Sequence, residues 1–437
     1  MELKKIMKDS GIIGAGGAGF PSYAKLAEGA DTLLINGAEC EPLLYTDYTI
    51  LQYEMNTVLA GIREIMNASG ISRSLVAIKE HTAESLMLDD NTELAPGIFL
   101  KVLPNVYPIG DEIGLIYEST GRVVSPGCLP ISVGVIVFNV ETVYNVAKAV
   151  ANGAPVTQKW LTVGGDVPKS YVVRVPVGTR VSELFEKLGI KVPDGHCVVD
   201  GGPSMGKIIN YRSAAVTKTT KGLLILPSDI QAIQAKKINY TLAISRAETA
   251  CCQCTRCTDM CPRNLLGYPL EPHKMVRTAM GAAEAMPKMV LNATLCCGCG
   301  VCETLACCQG ISPRAVIANY KKLLSENKLR YTSTEKCYVT NEREYRKIPS
   351  ERWMRALGVL EFDKAAEYLG EMSDFSAVEI PTSKHIGAPS IIAVRDGDRV
   401  NAEQPIALAT DGLCIPQHAS KSGIVSLDAL SGTIIIK

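Results

Sequence analysis

The chain has 437 residues, and 45 Lys and Arg balance 45 Asp and Glu, so it carries no net charge at neutral pH. That balance leaves no electrostatic footprint for nucleic acid or an anionic membrane surface, while 47% hydrophobic against 21% charged residues describes an ordinary globular protein of roughly three domains. No apolar run reaches the ~20 residues of a spanning helix, and the charged start MELKKIMKDS lacks the apolar core of a secretory signal, so sixteen cysteines predict a reducing cytoplasm where thiolates stay free for metal.

The opening residues read as a short helix stopped by Gly11. The stretch GIIGAGGAGFP then crowds Gly14, Gly16, Gly17 and Gly19 ahead of Pro21. Gly14-x-Gly16-x-x-Gly19 fits a dinucleotide-binding turn with Glu39 ~20 residues on, although a helix rather than a strand precedes it. Its physical content is a tight turn with backbone N–H groups at its surface, suited to a phosphate or a flat ring. A plain Gly-rich connection is the other reading. A strand over 32–36 leads to Glu39, Glu41 and Pro42. A helix follows over 49–69, and a buried strand over 74–80. GIFLKVLPNVYPIGDE runs from strand to loop and gathers Tyr107, Gly110, Asp111 and Glu112. VGVIVFNVETVYNVAKAVANG is a strand passing through Asn139 and Thr142 into a helix. Strand–helix alternation over 30–150 predicts a Rossmann-like α/β domain with ligand contacts at its strand ends.

Four motifs in this region, GAGGAGFP, NGAECEP, YPIGDE and FNVET, resemble in kind and order those of the NADH- and FMN-binding subunit of respiratory complex I. The resemblance implies FMN held by Gly14, Gly16, Gly17, Ala18, Lys25, Asn36, Glu39, Tyr107, Gly110, Asn139 and Thr142, against the turn that ends at Gly19. It also implies NADH contacts at Phe20, Glu41 and Glu112. Lys25 would stabilise reduced flavin or its phosphate by charge. Three positions depart from the family pattern: Ala15 stands for an arginine, Ala38 for an aspartate and Phe138 for an asparagine. Read alone, Glu39, Glu41 and Glu112 would be solvated loop carboxylates.

From 156 to 235 the texture changes to short strands and turns around one helix at 181–188, which resembles the soluble-ligand-binding β-grasp (SLBB) domain of the same subunit. The loop over 200–206 reads as a turn.

Eleven of the sixteen cysteines lie between 251 and 308. Cys251, Cys254, Cys257 and Cys261, followed by Pro262, fit C-x2-C-x2-C-x3-C-P, the ferredoxin run for a 4Fe–4S cluster. Cys296, Cys299, Cys302 and Cys307 fit the same run with one extra residue in the last gap. Cys252 and Cys297 start no C-x2-C step, and Cys308 stands where proline usually follows. In two-cluster ferredoxins the fourth cysteine of each run serves the other cluster. Cys251, Cys254 and Cys257 therefore pair with Cys307, and Cys296, Cys299 and Cys302 with Cys261. Structural zinc calls for two pairs rather than three closely stepped thiolates, and disulfide frameworks belong to small secreted domains. Residues 236–330 read as a helical ferredoxin domain, with a bridging helix over 272–293 that carries His273 in a structural role. The charged segment 331–375 reads as a helical linker. The tail, 376–437, is short strands and turns resembling the barrel-sandwich hybrid of biotinyl carriers without a modifiable lysine, so docking or packing is its expected role, with His385 and His418 structural.

An FMN domain over 1–155, a β-grasp module, two helical clusters and a barrel-sandwich tail together resemble the propanediol-utilisation cobalamin reductases and the related Rnf-C electron carriers. The resemblance implies an oxidoreductase that passes electrons from NADH through FMN and two 4Fe–4S clusters to a downstream protein or corrinoid. It also implies a cytoplasmic home inside a bacterial microcompartment or beside a membrane complex, with partners there. Two alternatives accompany it: an Rnf-C-like carrier serving another reductase such as proline reductase, and a flavin-free iron–sulfur relay.

Overall fold

Uninterrupted apolar runs build the first sheet. The computed structural model describes residues 2–282, 287–332, 335–428 and 431–437. In it β1 (Thr32–Asn36), β2 (Arg73–Lys79), β3 (Glu93–Ala95), β4 (Ile98–Leu103) and, after the short β5 (Val106–Tyr107), β6 (Val135–Asn139) form a sheet of order β3-β4-β2-β1-β6. Every pairing in it is parallel except β3–β4. Helix α1 (Glu2–Asp9) precedes the sheet, α2 (Thr46–Ser69), α3 (Glu80–Leu86) and α4 (Glu112–Thr120) lie between its strands, and α5 (Val140–Asn152) follows it. Alternate side chains of β1 enter different cores. Leu33 and Ile35 meet Val58, Ile62 and Val143 of α2 and α5. Leu34 meets Ile116 of α4 and, beyond it, Met275 and Ile317 of the cysteine-bearing region. A strand buried on both faces has no polar alternation, which is why it reads as a continuous apolar run.

The second sheet is β7 (Gln158–Gly165), β8 (Ser170–Pro176), β9 (His196–Asp200), β10 (Lys207–Ile209) and β11 (Gly222–Pro227), with a sixth strand from residues 366–371. Helix α6 (Val181–Lys187) buries Leu184 and Phe185 against Val173, Val175, Leu223 and Ile225. The cysteine region follows as short helices: α7 (Gln231–Lys236), α8 (Tyr240–Ala250), α9 (Arg256–Asp259), α10 (Pro262–Leu265), α11 (Pro272–Arg277), α12 (Pro287–Leu291) and α13 (Pro313–Glu326). The single bridging helix expected over 272–293 is instead α11, a wider turn over Thr278–Ala282 broken by Gly281 at φ 103°, and α12. Its portion at 283–286 lies outside the described residues.

The expected helical linker over 331–375 is also different. Among its described residues it holds one α-helix, α14 (Ser350–Leu357), between two strands, β12 (Ile348–Pro349) and β13 (Ala366–Glu371). Ile348 pairs with Tyr107 of β5, and β13 runs parallel to β8. The reason is a two-residue alternation in AEYLGE: Tyr368 turns inward to stack on Trp160, ring centroids 5.2 Å apart, while its neighbours Glu367 and Leu369 stay exposed.

The tail forms a four-stranded sheet from β14 (Val378–Pro381), β16 (Arg399–Val400), β19 (Gly423–Asp428) and β20 (Thr433–Ile436). A three-stranded sheet joins β15 (Ile391–Ile392), β17 (Pro405–Leu408) and β18 (Gln417–His418). Val378, Val400, Ile406, Val425 and Ile436 share the core between them. This module docks on the glycine segment. Ile386 N–H donates to Gly19 O at 2.9 Å, and Tyr23 Oη donates to Gly412 O at 3.1 Å. Lys218 Nζ, buried nearby, donates to Gly11 O at 2.9 Å, and burial lowers its ammonium to about 7. The folded chain therefore binds this proton less tightly than the unfolded one, so stability rises with pH between about 7 and 10.5 and falls as pH drops. Lys218→Met should lose that pH dependence, read as denaturant midpoints at about pH 7 and about pH 9. Among the described residues no helix is long and apolar enough to cross a membrane.

Candidate functional site

The C-terminal edge of the first sheet gathers the four motifs. Asn36 and Asn139 end adjacent strands in register. Asn36 Nδ2 donates to Gly110 O at 3.0 Å. Asn139 caps α5 by accepting from Glu141 N at 3.0 Å, and its amide donates to Asp47 at 2.9 Å and to Asn36 O at 3.3 Å. Thr142 Oγ1, in the first turn of α5, accepts from Ala15 N at 3.0 Å and so holds the base of the glycine turn. The turn closes on itself through Gly14 N to Phe20 O at 2.8 Å and Gly19 N to Gly14 O at 3.2 Å.

Gly16, Gly17 and Ala18 at its tip are exposed, and their N–H groups have no partner among the described residues. Gly17 stands at φ 104° with open space where a Cβ would be, and a Cβ on Gly16 would touch the Asn139 side chain. Free donors on a bare backbone shelf fit an anionic, planar group such as FMN.

The acidic residues are committed locally. Glu39, at φ 35°, accepts from the N–H groups of Asp47 and Tyr48 at 3.0 and 3.2 Å, in the first turn of α2. Burial and the neighbouring Asp47 push its carboxyl up to about 7. Glu41 accepts from Ser204 and Met205 N–H at 2.9 and 3.0 Å, which ties the flavin-side loop to the 201–206 loop of the second sheet, and burial raises its carboxyl too. Lys25 and Glu112, assigned separately to flavin and NADH, pair with each other at 2.8 Å, and Lys25 also donates to Val137 O.

Beneath the turn lies a group that sequence reasoning missed. Lys159 pairs with Glu141 and reaches Ala15 O, and Lys221 pairs with Asp47; all four side chains are more than nine-tenths buried. Burial opposes the Lys221 ammonium, but Asp47, Glu141 and Glu39 outweigh it and hold its pKa above the usual lysine range. Only Glu141 lies in a quoted motif. Lys159 and Lys221 come from the second sheet, where no local pattern marks them.

The cysteines fall into two groups. One cavity is lined by Cys251, Cys254, Cys257 and Cys307, with Cys252, Cys308 and His273 beside them. Burial and then Cys307, Cys254 and Cys251 push the Cys257 thiol up to about 12. Cys252 and Cys308 carry sulfurs within 4.8 Å of Cys254, although spacing sets both aside. A second cavity is lined by Cys261, Cys296, Cys299 and Cys302, with Cys297 and Arg314 at its wall. Burial and then Cys296 push Cys261 up to about 12. Converging soft sulfurs that repel one another as thiolates are the donor set a cationic iron–sulfur cluster neutralises. The structure thus brings together the crosswise sets expected from spacing.

Three family models match: the Nuo51 FMN-binding domain over residues 7–148, a 4Fe-4S dicluster domain over 250–312, and the RnfC barrel sandwich hybrid domain over 365–428. Cobalamin reductase PduS of Salmonella typhimurium is 38% identical over 427 residues, covering 97% of this chain and 94% of the relative. Cobalamin reductase PduS of Citrobacter freundii is 38% identical over 429 residues with the same two coverages, 97% and 94%. The C component of the proton-translocating ferredoxin:NAD(+) oxidoreductase complex of Clostridium ljungdahlii is 31% identical over 271 residues, 60% of this chain and 56% of that component. The chain is an oxidoreductase with an FMN-binding domain and a two-cluster 4Fe–4S domain for NADH-linked electron transfer. It belongs to the family of cobalamin reductase PduS.

Proposed function

We propose that the chain takes electrons from NADH at the turn over residues 14–19 and delivers them through its two cysteine sets to a corrinoid, the acceptor for which its near-full-length relatives are named. One buried contact carries the reading. Tyr107, from the loop that also holds Gly110 and Glu112, donates through Oη to Cys299 O at 2.7 Å, so the nucleotide side and the cysteine side share a wall. The Rnf-type relative matches only 60% of this chain, against 97% for the cobalamin reductases.

When bound, FMN accepts the electron pair of a hydride and the clusters carry electrons singly. The chain's own residues supply position and field. Gly14, Gly16, Gly17, Ala18 and Gly19 offer the backbone shelf, with Asn36, Asn139 and Thr142 fixing its floor. Phe20 and the Lys25–Glu112 pair stand at its rim, where NADH would enter. Lys159 braces the shelf through Ala15 O while paired with Glu141, and Lys221 is paired with Asp47, so this buried group supports the shelf without adding net charge. Glu39 and Glu41 hold loops through the backbone N–H groups they accept from. Cys251, Cys254, Cys257 and Cys307 would hold one cluster, and Cys261, Cys296, Cys299 and Cys302 the other.

In this reading residues 1–155 are the flavin domain, 156–235 a β-grasp module of the soluble-ligand-binding type, 236–330 the cluster domain and 376–437 a barrel-sandwich module clamped on the flavin segment. The working site is the cytoplasm within a microcompartment, beside the proteins that use the corrinoid. The test is anaerobic: NADH and cob(III)alamin are mixed with loaded protein, and the corrinoid is followed by its visible spectrum. Protein-dependent appearance of cob(II)alamin is expected. Reduced clusters beside an unchanged corrinoid would remove this acceptor.

A further inference from the structure

The two cysteine sets do not stand equally toward the flavin side. The loop over 106–112 is bound to the second set at two points. Tyr107 Oη donates to Cys299 O at 2.7 Å, and Asp111 pairs with Arg263, two residues after Cys261, at 2.6 Å. The 201–206 loop, anchored by Glu41, adds a third bond: Arg314 Nη1 donates to Ser204 O at 2.8 Å and to Gly298 O at 3.4 Å. Trp353 closes the wall. Its ring stacks on Tyr107 with centroids 4.4 Å apart and 8° from parallel, and Nε1 donates to Ser204 Oγ at 3.0 Å.

Among the described residues, nothing from the first or second sheet lines the cavity of the first set. Its surroundings are α11, the start of α13 and the 307–311 segment, and Cys252, Cys254 and Cys308 are exposed there. In the second set Cys261, Cys299 and Cys302 are only 7%, 8% and 8% exposed. The sets meet each other through α9, which carries Cys257 just ahead of Cys261 and packs against the turn Cys302–Ala306.

We propose that the set of Cys261, Cys296, Cys299 and Cys302 is the inlet, coupled to the flavin loop through Tyr107 and Trp353, and that the set of Cys251, Cys254, Cys257 and Cys307 is the outlet that faces the acceptor. The order rests on the electron path from NADH put forward above. Each hydride brings two electrons, which leave one at a time through the inlet and then the outlet to two one-electron acceptors, while the proton is released to solvent. An inlet with Cys261, Cys299 and Cys302 buried limits the leak of electrons to solution oxidants. An outlet with Cys254 exposed, beside the exposed Cys252 and Cys308, lets the acceptor approach.

Two ligand variants separate the sets, each read by EPR after NADH and again after dithionite, with flavin and iron content measured on the same sample. Cys254→Ser should keep an NADH-reducible cluster. Cys299→Ser should keep a cluster that dithionite reduces and NADH does not. The reverse pattern overturns this order alone, whereas wild-type clusters that respond to dithionite and ignore NADH overturn the order together with the reading beneath it. Should Cys299→Ser fail to fold, Tyr107→Phe decides. It should slow the rise of the cluster signal relative to the rate of flavin bleaching on the same sample, with the dithionite end-point unchanged, and an unaltered ratio contradicts the proposed coupling.

Discussion

Lys159→Met is expected to destabilise the protein by about 3–5 kcal/mol, because it strands the Glu141 carboxylate in a site from which water is excluded. Lys159 and Glu141 are each 1% exposed, and Glu141 also accepts from Trp160 N. Both charges were desolvated on folding, and without Lys159 the Glu141 carboxylate keeps only the longer 3.8 Å contact to Lys221, which is itself paired with Asp47. The double variant Lys159→Met/Glu141→Leu should recover most of the loss, since a well-packed apolar pair of similar volume is often neutral. Urea unfolding followed by circular dichroism reads both. The contrast is Arg355→Ala: the Arg355–Glu351 pair is 68% and 63% exposed, so its loss should stay within about 0.5 kcal/mol. Lys159 also touches Ala15 O, so the single variant should weaken FMN retention beyond its effect on folding.

Trp353→Ala should cost about 3–5 kcal/mol, the usual range for emptying a fully buried tryptophan site. Trp353 is 0% exposed, and it fills the space between Tyr107, Leu43, Val301 and Ile348, where the flavin loop, the second cysteine loop and β12 meet. Trp353→Phe keeps a ring on Tyr107 but leaves Ser204 Oγ without its donor, so about 1 kcal/mol is expected. The two differ in a second readout. The alanine variant should lose iron from one cluster on anaerobic gel filtration, and the phenylalanine variant should keep it. Full iron retention in Trp353→Ala would mean that the wall does not support the Cys299 loop.

Local chemistry was the legible part of the chain. Cysteine spacing depends on cluster geometry within a few residues, so each four-cysteine run could be read before folding, while the exchange of their fourth members came from the two-cluster ferredoxin rule. Apolar runs declared the doubly covered strands of the first sheet, and the bare glycines declared the shelf. What could not be read depends on distant neighbours. Lys221 reaches Asp47 across 174 residues, and Glu41 finds its amides 163 residues away. Each looks like a surface charge until both sheets are in place. Charged AEYLGE looks helical beside SERWMRAL, and only the edge of β8 turns it into a strand. Trp353 likewise gains its role from a loop that comes much earlier in the chain. Cys252 and Cys308, set aside by spacing, stand beside Cys254 because two separate segments fold onto one cavity.

The claim that one chain holds the whole path from NADH to the outlet is tested most directly by anaerobic reconstitution followed by NADH titration. One FMN and about eight iron atoms per chain are expected, with NADH bleaching the flavin and cluster absorbance together. Protein that binds that iron yet holds no flavin and oxidises no NADH would contradict it.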